Sequence, residues 1–376
     1  MRHTSPASPQ ARKLGVERGG ARMRSMASVV ALMVTASMLN ACADADVAAS
    51  APADPITVEN CGEEITVDGP ITELYAYDGG IISIALAVGA RDELVAVTGM
   101  ERDQALLEMA YPEDRVDELT VVGDTYPTLE NVLAVNPEMM FAGWGYGFSE
   151  SRNLIPEMLH ERDIATYLLS ETCRQESGAR GTMDAWTALA TDLHNIGKLT
   201  GHSDKAEEVT VDIDQRRKAL AAAPQGEEPP TAFLFDSGTD AIFTSGSFGA
   251  PQAIFDAAGV VNATADVNDT WTEVGWERIA ASEPDIIYFV DYPGQSFEQK
   301  VAVLKANPAS RNLEAVREER FVNLPYGLWV SGPLNIDAAE WVRHSVEQFG
   351  LVPESGIETS LDITTLEQLP GNEWVR

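Results

Sequence analysis

The residue types that most often perform catalysis are not arranged for it in this chain. No two of the five histidines have the spacing that would place both on one helix face as metal ligands. Ser245-Gly246-Ser247-Phe248-Gly249 lacks the Gly-x-Ser-x-Gly order of a nucleophile elbow, and no phosphate-binding loop or dinucleotide fingerprint is present. The sequence therefore favours a binding protein over an enzyme, with no metal site and no cofactor.

The aromatic side chains, in contrast, are arranged so that their rings could stack against a ligand. In Gly143-Trp144-Gly145-Tyr146-Gly147-Phe148, alternate glycines let the backbone bend and expose each ring. Large flat or macrocyclic ligands are held well by aromatic faces. The predicted ligand-binding residues are Tyr77, Tyr126, Trp144, Tyr146, Phe148, Trp271, Tyr292, Tyr326 and Trp329, with Arg102 and Arg152 as the nearest cations. For Tyr77, Tyr126 and Tyr292, a place in the core is an equal alternative.

The elements that would position these rings alternate between strand-like and helix-like segments. The predicted strands are 65–67, 94–97, 139–142, 166–169, 232–235, 286–290 and 321–324. The predicted helices include 81–88, 129–135, 250–258 and 276–281. This alternation favours an α/β fold with mostly parallel sheets, in which ligands bind beyond the carboxyl ends of the strands. Several of the aromatic residues follow predicted strands.

An internal repeat predicts two lobes of similar fold. Residues 129–142 align with residues 276–289, and each copy reads as a glutamate, a short amphipathic helix, a proline, an acid and an apolar strand. The copies are too far apart for a solenoid, and their separation suits two lobes. Chance recurrence of a helix, a proline loop and a strand is the alternative interpretation.

Two helical segments, 182–199 and 204–222, separate the copies. Asp204 is expected to cap the second, with Glu207 completing a capping box. That segment would extend roughly 30 Å and could brace one lobe against the other. The predicted organisation is an N-terminal α/β lobe (56–199), an interlobe helix and linker (200–230), a C-terminal α/β lobe (231–352) and a C-terminal extension (353–376).

The first 55 residues predict export and anchoring. Arg22 and Arg24 precede the uncharged stretch 26–41, which is too short to span a bilayer comfortably, and this order indicates a signal peptide over residues 1–41. Leu39-Asn40-Ala41-Cys42 resembles the lipobox of bacterial lipoproteins, so Cys42 is predicted to carry the lipid. Residues 42–55 would form a tether on the extracytoplasmic face of the cell membrane. A simple cleaved signal is the alternative.

The net charge limits the classes of partner, and the cysteine content predicts a disulfide. The net charge of −33 repels nucleic acid and anionic lipid head groups, and the alternative is that this acidity only keeps the protein soluble or reflects a salt-loving host. With Cys42 lipidated, Cys61 and Cys173 remain. In an oxidising compartment such a pair is predicted to form a disulfide, two free buried thiols being the alternative.

Taken together, these features resemble the periplasmic binding proteins that serve iron–siderophore, haem and cobalamin ABC importers. The resemblance covers about residues 56–350, and actinobacterial lipoproteins with such a cysteine pair are especially similar. It is carried by Asn60-Cys61-Gly62, 129–144, Glu171-Thr172-Cys173, 271–290 and 320–326. It implies two α/β lobes bridged by one long helix, with the ligand in the groove between them. It further implies that Glu130 and Glu277, one per lobe, meet arginines of the two permease subunits.

The resemblance also implies the ligand class, with one departure. Many relatives carry an Arg-Asn pair after the Leu-Pro-Tyr segment, whereas Gly332-Pro333-Leu334-Asn335 keeps the Asn and lacks the Arg. A strongly anionic siderophore would need such a cation, so a hydroxamate-type ferric siderophore is expected, and the siderophore itself would ligate the iron. Cobalamin, haem or another large cofactor-like ligand is the alternative. A carboxylate hydrolase on the same frame, or an anchored chaperone or adhesion module, is less favoured.

Overall fold

The computed structural model describes residues 54–123, 125–366 and 369–372. The strands are β1 (Ile56–Asn60), β2 (Glu63–Val67), β3 (Leu74–Tyr77), β4 (Leu94–Thr98), β5 (Met139–Trp144), β6 (Gly147–Phe148), β7 (Ala165–Leu168), β8 (Thr231–Phe235), β9 (Ser237–Gly238), β10 (Ile242–Ser245), β11 (Val261–Asn262), β12 (Trp271–Val274), β13 (Ile286–Asp291) and β14 (Phe321–Pro325). The predicted signal peptide, Cys42 and nearly all of the tether lie outside the described residues.

The helices follow the strands in the alternation expected of an α/β chain. They are α1 (Gly79–Ala87), α2 (Gln104–Ala110), α3 (Leu129–Val135), α4 (Pro156–His160), α5 (Ala185–Leu199), α6 (Ser203–Ala221), α7 (Ala250–Ala258), α8 (Trp276–Ser282), α9 (Phe297–Ala306), α10 (Glu314–Arg317), α11 (Tyr326–Trp329) and α12 (Asn335–Gln348). Across the described part of the chain, none of them combines the length and the apolar character that a membrane span requires.

Two four-stranded parallel sheets share one strand order. The first sheet runs β4-β3-β5-β7, with β6 beside the end of β5, and the second runs β11-β8-β13-β14. Every pair within these orders is parallel. Strands β3, β5 and β13 are almost wholly buried, as parallel strands covered by helices on both faces must be. The predicted fold, α/β with two lobes built on parallel sheets, is confirmed.

The two copies of the internal repeat also form equivalent hydrogen bonds. Helix α3 leads into β5 and α8 leads into β13, and each helix ends at a residue with a left-handed backbone conformation. In each copy, the carboxylate of the acidic residue after the proline then accepts a hydrogen bond from the backbone that leads into the neighbouring strand. Glu138 accepts a hydrogen bond from the backbone N–H of Thr72, and Asp285 accepts one from Thr231. The repeat is therefore a structural equivalence between the two lobes.

Helix α6 runs from the last helix of the first lobe towards β8. It packs against α5, and Arg216 on α6 bonds the carboxylates of Asp337 and Glu340 on α12 of the second lobe, each at 2.7 Å. The predicted cap is wrong, because α6 begins at Ser203, so that Asp204 lies inside its first turn and its side chain forms no cap. The lobe boundaries at 199/200 and 230/231 stay a prediction.

A short hairpin is attached to the first lobe by a disulfide. Strands β1 and β2 are joined by Cys61 and Gly62, whose φ angles of 51° and 81° suit the two-residue turn of a twisted hairpin. The Cys61–Cys173 disulfide connects this turn to the segment after β7, which confirms the predicted pairing. Beside it, the Asn60 side chain exchanges two hydrogen bonds of 2.8 Å with the backbone of Leu168 in β7.

The C-terminal extension covers the free edge of the second sheet, a role not anticipated from its sequence. The Asn372 side chain accepts a hydrogen bond from the N–H of Asn323 and donates one to its carbonyl oxygen, in edge strand β14. Upstream, Leu361 accepts a hydrogen bond from the Trp341 indole of α12. Because an unpaired edge invites pairing with other chains, this segment protects the sheet.

Candidate ligand-binding cleft

A cleft of about 310 Å³ lies where the carboxyl ends of the two parallel sheets face each other. It is lined by Tyr77, Asp78, Arg102, Tyr126, Gly145, Tyr146, Arg180, Asp236, Ser237, Phe243, Trp271, Tyr292 and Tyr326. Many of these residues come from segments that directly follow strands β3, β5, β8, β13 and β14. This is the edge at which open parallel sheets bind ligands. Seven of the eleven predicted binding residues are among them.

Aromatic rings form much of the cleft wall and occur in pairs. The pairs are Tyr77–Tyr126, Phe243–Trp271 and Tyr292–Tyr326, with ring centroids 6.0, 6.0 and 5.3 Å apart. Trp271 is 4% exposed, and its indole Nε1 is buried without a hydrogen-bond partner among the described residues. A buried donor of this kind is costly unless a ligand supplies the acceptor. The cleft thus offers aromatic faces together with an unused donor.

The charge of Arg102 is compensated within the protein. Its guanidinium bonds the Asp78 carboxylate and lies 4.1 Å from the centroid of the Tyr326 ring. The Tyr326 hydroxyl also donates to Asp78, at 3.1 Å. Burial raises the pKa of Asp78, and the adjacent guanidinium counteracts that rise. Burial likewise raises the pKa of Asp103, on the other side of Arg102, to about 7.

Arg180 is the second cation of the cleft, and it links the two lobes. Its guanidinium donates to the carbonyl oxygen of Trp271 and lies 3.5 Å from the carboxylate of Asp269. Nearby, Glu171 of the first lobe accepts a hydrogen bond from the N–H of Ala250 at the start of α7. Burial raises the pKa of Glu171 to about 8. Both arginines of the cleft therefore have acidic neighbours, which leaves it without a large excess of positive charge.

Two of the predicted binding residues lie in the core. Phe148 and Trp329 have no exposed surface. The Trp329 ring packs 5.7 Å from the rings of both Phe255 and Tyr288, and its indole N–H donates to the carbonyl oxygen of Phe289. Their assignment to the site is corrected, because a ring enclosed by its own lobe cannot meet a ligand.

Two further predicted residues lie beside the cleft and do not line it. Trp144 is on a separate groove near the disulfide, where the Arg174 guanidinium covers it at 3.7 Å. Arg152 stacks on the Tyr126 ring at 4.0 Å and supports it from outside. The predicted bending at the glycines is present, since Gly145 and Gly147 have φ angles of 83° and 101°. That bend directs Tyr146 into the cleft and turns its two aromatic neighbours away.

Five lining side chains were missed in the sequence: Asp78, Arg180, Asp236, Ser237 and Phe243. Asp236 had a usable signal, because it directly follows the predicted strand 232–235, whereas Asp78 had none, because β3 was not predicted. Arg180 had none, since it belongs to an irregular loop. Asn335, the asparagine after the Leu-Pro-Tyr segment, is 3% exposed and donates to the carbonyl oxygens of Leu328 and Val330. Its role here is to fix the backbone before α12.

Glu130 and Glu277 occupy equivalent exposed positions outside the cleft. Each is the second residue of a seven-residue helix, α3 or α8, at the start of its repeat copy.

Metal binding by the protein has no candidate within the described ranges, where no group of three or more His, Cys, Asp or Glu side chains could hold an ion.

Comparisons with known proteins agree with this architecture. The periplasmic binding protein family matches residues 75–326. The vitamin B12-binding protein of Yersinia pseudotuberculosis is 24% identical over 204 residues, which are 54% of this chain and 64% of that protein. The chain therefore spans less than two thirds of the curated relative's length.

Solved structures show the same fold. A periplasmic binding protein from Veillonella parvula superposes with a TM-score of 0.64 at 21% identity, covering 78% of this chain and 97% of that one. The ABC-type Fe³⁺-hydroxamate transport system from Saccharomonospora viridis gives 0.62 at 19% identity, covering 78% and 99%. The chain belongs to the periplasmic binding protein family. The assignment to a binding protein rather than an enzyme agrees with that membership.

Proposed function

We propose that this protein is the substrate-binding lipoprotein of an ABC importer, and that it captures a ferric siderophore of the hydroxamate type and delivers it to a permease dimer. The observation that carries this proposal is the cleft between the two sheets. Its walls are paired aromatic rings, and its arginines already have acidic neighbours. Such a site suits a compact chelate with an apolar periphery and no strong negative charge. The iron would be held by the siderophore.

Cobalamin is the second candidate, because the curated relative is a vitamin B12-binding protein. A corrin is large and flat, so the same aromatic faces would suit it. A second cavity of about 430 Å³ shares Arg102 and Tyr292 with the cleft and would give such a ligand more room. A direct titration with both ligands separates the two candidates.

Truncating Trp271 is expected to weaken binding of a ferric trihydroxamate by about 1–3 kcal/mol, because its ring is desolvated in the cleft wall and its N–H has no partner among the residues that the structure describes. The measurement is quenching of intrinsic fluorescence on titration with ferrioxamine B, ferric citrate and cyanocobalamin. Trp144→Ala removes the same side chain outside the cleft and serves as the matched control, with unchanged affinity.

Tight binding of ferrioxamine B, with weak binding of ferric citrate, is the expected ranking. Equal affinity in the Trp271→Ala and wild-type proteins would place the ligand elsewhere. Tight binding of cyanocobalamin without any ferric chelate would transfer the assignment to the second candidate.

Cys42 is proposed to anchor the protein to the extracytoplasmic face of the membrane through a thioether-linked diacylglycerol. Two acyl chains give stable anchoring where one would be marginal. Replacing Cys42 with serine should move the protein from the membrane fraction to the soluble exported fraction. Complete retention of the variant in membranes would show that the anchor lies elsewhere, while release of the wild-type protein would contradict lipidation.

A further inference from the structure

The two aspartates of the cleft occupy the same position in the two lobes. In the first sheet Leu74 of β3 is paired with Met139 of β5, and in the second Ala232 of β8 is paired with Ile286 of β13. Since β5 and β13 are the equivalent repeat strands, Leu74 corresponds to Ala232. Four residues further along each chain stand Asp78 and Asp236, both of which line the cleft.

The first of these carboxylates has its hydrogen-bond partners within the protein. Asp78 accepts hydrogen bonds from the Arg102 guanidinium, from the Tyr326 hydroxyl and from the backbone N–H of Gly80. A ligand would have to break these contacts to use its charge. Asp78 is therefore an internal part of the cleft wall.

The second carboxylate has no such partner. Asp236 is 5% exposed, yet among the described residues no Lys, Arg or His lies within 4.0 Å of it. Within the described part of the chain its side chain is hydrogen-bonded by the neighbouring Ser237, and Lys300 and Arg102 act on it from a longer distance. The Lys300 ammonium is already engaged by the carbonyl oxygen of Val290. Burial raises the pKa of Asp236, as expected of a carboxylate without a close counter-charge.

Aromatic residues line the cleft together with this carboxylate. The Asp236 backbone N–H donates to the carbonyl oxygen of Phe243, whose ring stacks on that of Trp271. Burial raises the pKa of Tyr292 and of Tyr146, and the charge of Asp236 adds to that rise. A carboxylate among aromatic faces is the arrangement that recognises an organic cation, because both the charge and the ring quadrupoles attract an ammonium group.

We propose that Asp236, together with the rings of Phe243, Trp271 and Tyr292, forms a subsite for a positively charged group on the bound chelate, such as a pendant alkylammonium. This inference rests on the proposed function and adds to it the charge of the preferred siderophore. The net charge of −33 on the chain would also draw a cationic ligand towards the protein.

The test compares two ferric chelates that differ by one charge, ferrioxamine B and its N-acetylated, neutral derivative. Calorimetric titration of the purified full chain should give tighter binding of the cationic chelate by about ten- to hundredfold, the range for a hydrogen bond to a charged group. Asp236→Asn should abolish most of that preference, because it weakens binding of the cationic chelate far more than binding of the neutral one. Asp240→Asn, which removes an exposed carboxylate nearby, should retain the preference.

The outcomes separate this inference from the proposed function. Equal binding of both chelates by the wild-type protein would leave the siderophore assignment standing and overturn the cationic subsite. A preference that persists in Asp236→Asn would likewise overturn it. Failure of the wild-type protein to bind either chelate would overturn both. The circular dichroism spectrum of Asp236→Asn, compared with that of the wild-type protein, shows separately whether the variant is folded.

Discussion

Replacing Cys61 and Cys173 together with alanine is expected to lower the free energy of unfolding by about 4–5 kcal/mol, the chain-entropy value for a loop of this length. The two residues are separated by 112 positions, so the bond greatly restricts the unfolded chain. It also fastens the β1–β2 hairpin to the first lobe next to β7. Alanine suits the site because Cys173 is only 1% exposed, and a serine would bury a hydroxyl.

Urea unfolding followed by tryptophan fluorescence provides the measurement. The wild-type protein under reducing conditions is the matched reference, and its midpoint should approach that of the double variant. An identical midpoint for the oxidised wild-type and the double variant would contradict a stabilising role for the bond.

The double variant Glu130→Ala, Glu277→Ala is expected to keep full ligand affinity and to lose uptake by at least about tenfold, the scale of losing charge pairs from an interface that excludes water. The two carboxylates are exposed, occupy equivalent places in the two lobes and stand in the first turn of short helices. A two-lobed protein that docks on two permease subunits would need one such contact on each half. On an exposed surface alone, each pair would contribute roughly 0–1 kcal/mol.

The experiment measures uptake of radiolabelled iron from a ferric hydroxamate by intact cells, with ligand affinity measured on the purified variants. Glu157→Ala, Glu298→Ala is the matched control, since it also removes one exposed first-turn glutamate from each lobe. Normal uptake by the Glu130/Glu277 variant would refute the docking role. Lost ligand affinity would assign both residues to the binding site instead.

Much of the fold could be predicted because strong local patterns coincide with it. The repeat of a helix, a proline and an apolar strand predicted the equivalence of β5 and β13. Strand β3 was overlooked because four residues are too few to show a period, although all of them are buried. Without β3, Asp78 could not be recognised as a residue at a strand end.

The residues that line the cleft were harder to predict, because a ring reaches either the cleft or the core according to the side of a turn on which it lies. Tyr326 and Trp329 belong to the same short helix, yet one lines the cleft and the other is enclosed in the core. The same holds for Tyr146 and Phe148, two residues apart. Contacts such as Tyr326–Asp78 join residues 248 positions apart, and no local pattern reports them.

The proposed ligand is best tested by native mass spectrometry of the protein released from cells grown without available iron and, separately, with added cobalamin. We expect an added mass equal to a ferric chelate in the first sample, reduced in Trp271→Ala and retained in Trp144→Ala. A corrinoid mass in the second sample, with no ferric chelate in the first, would contradict the proposed ligand.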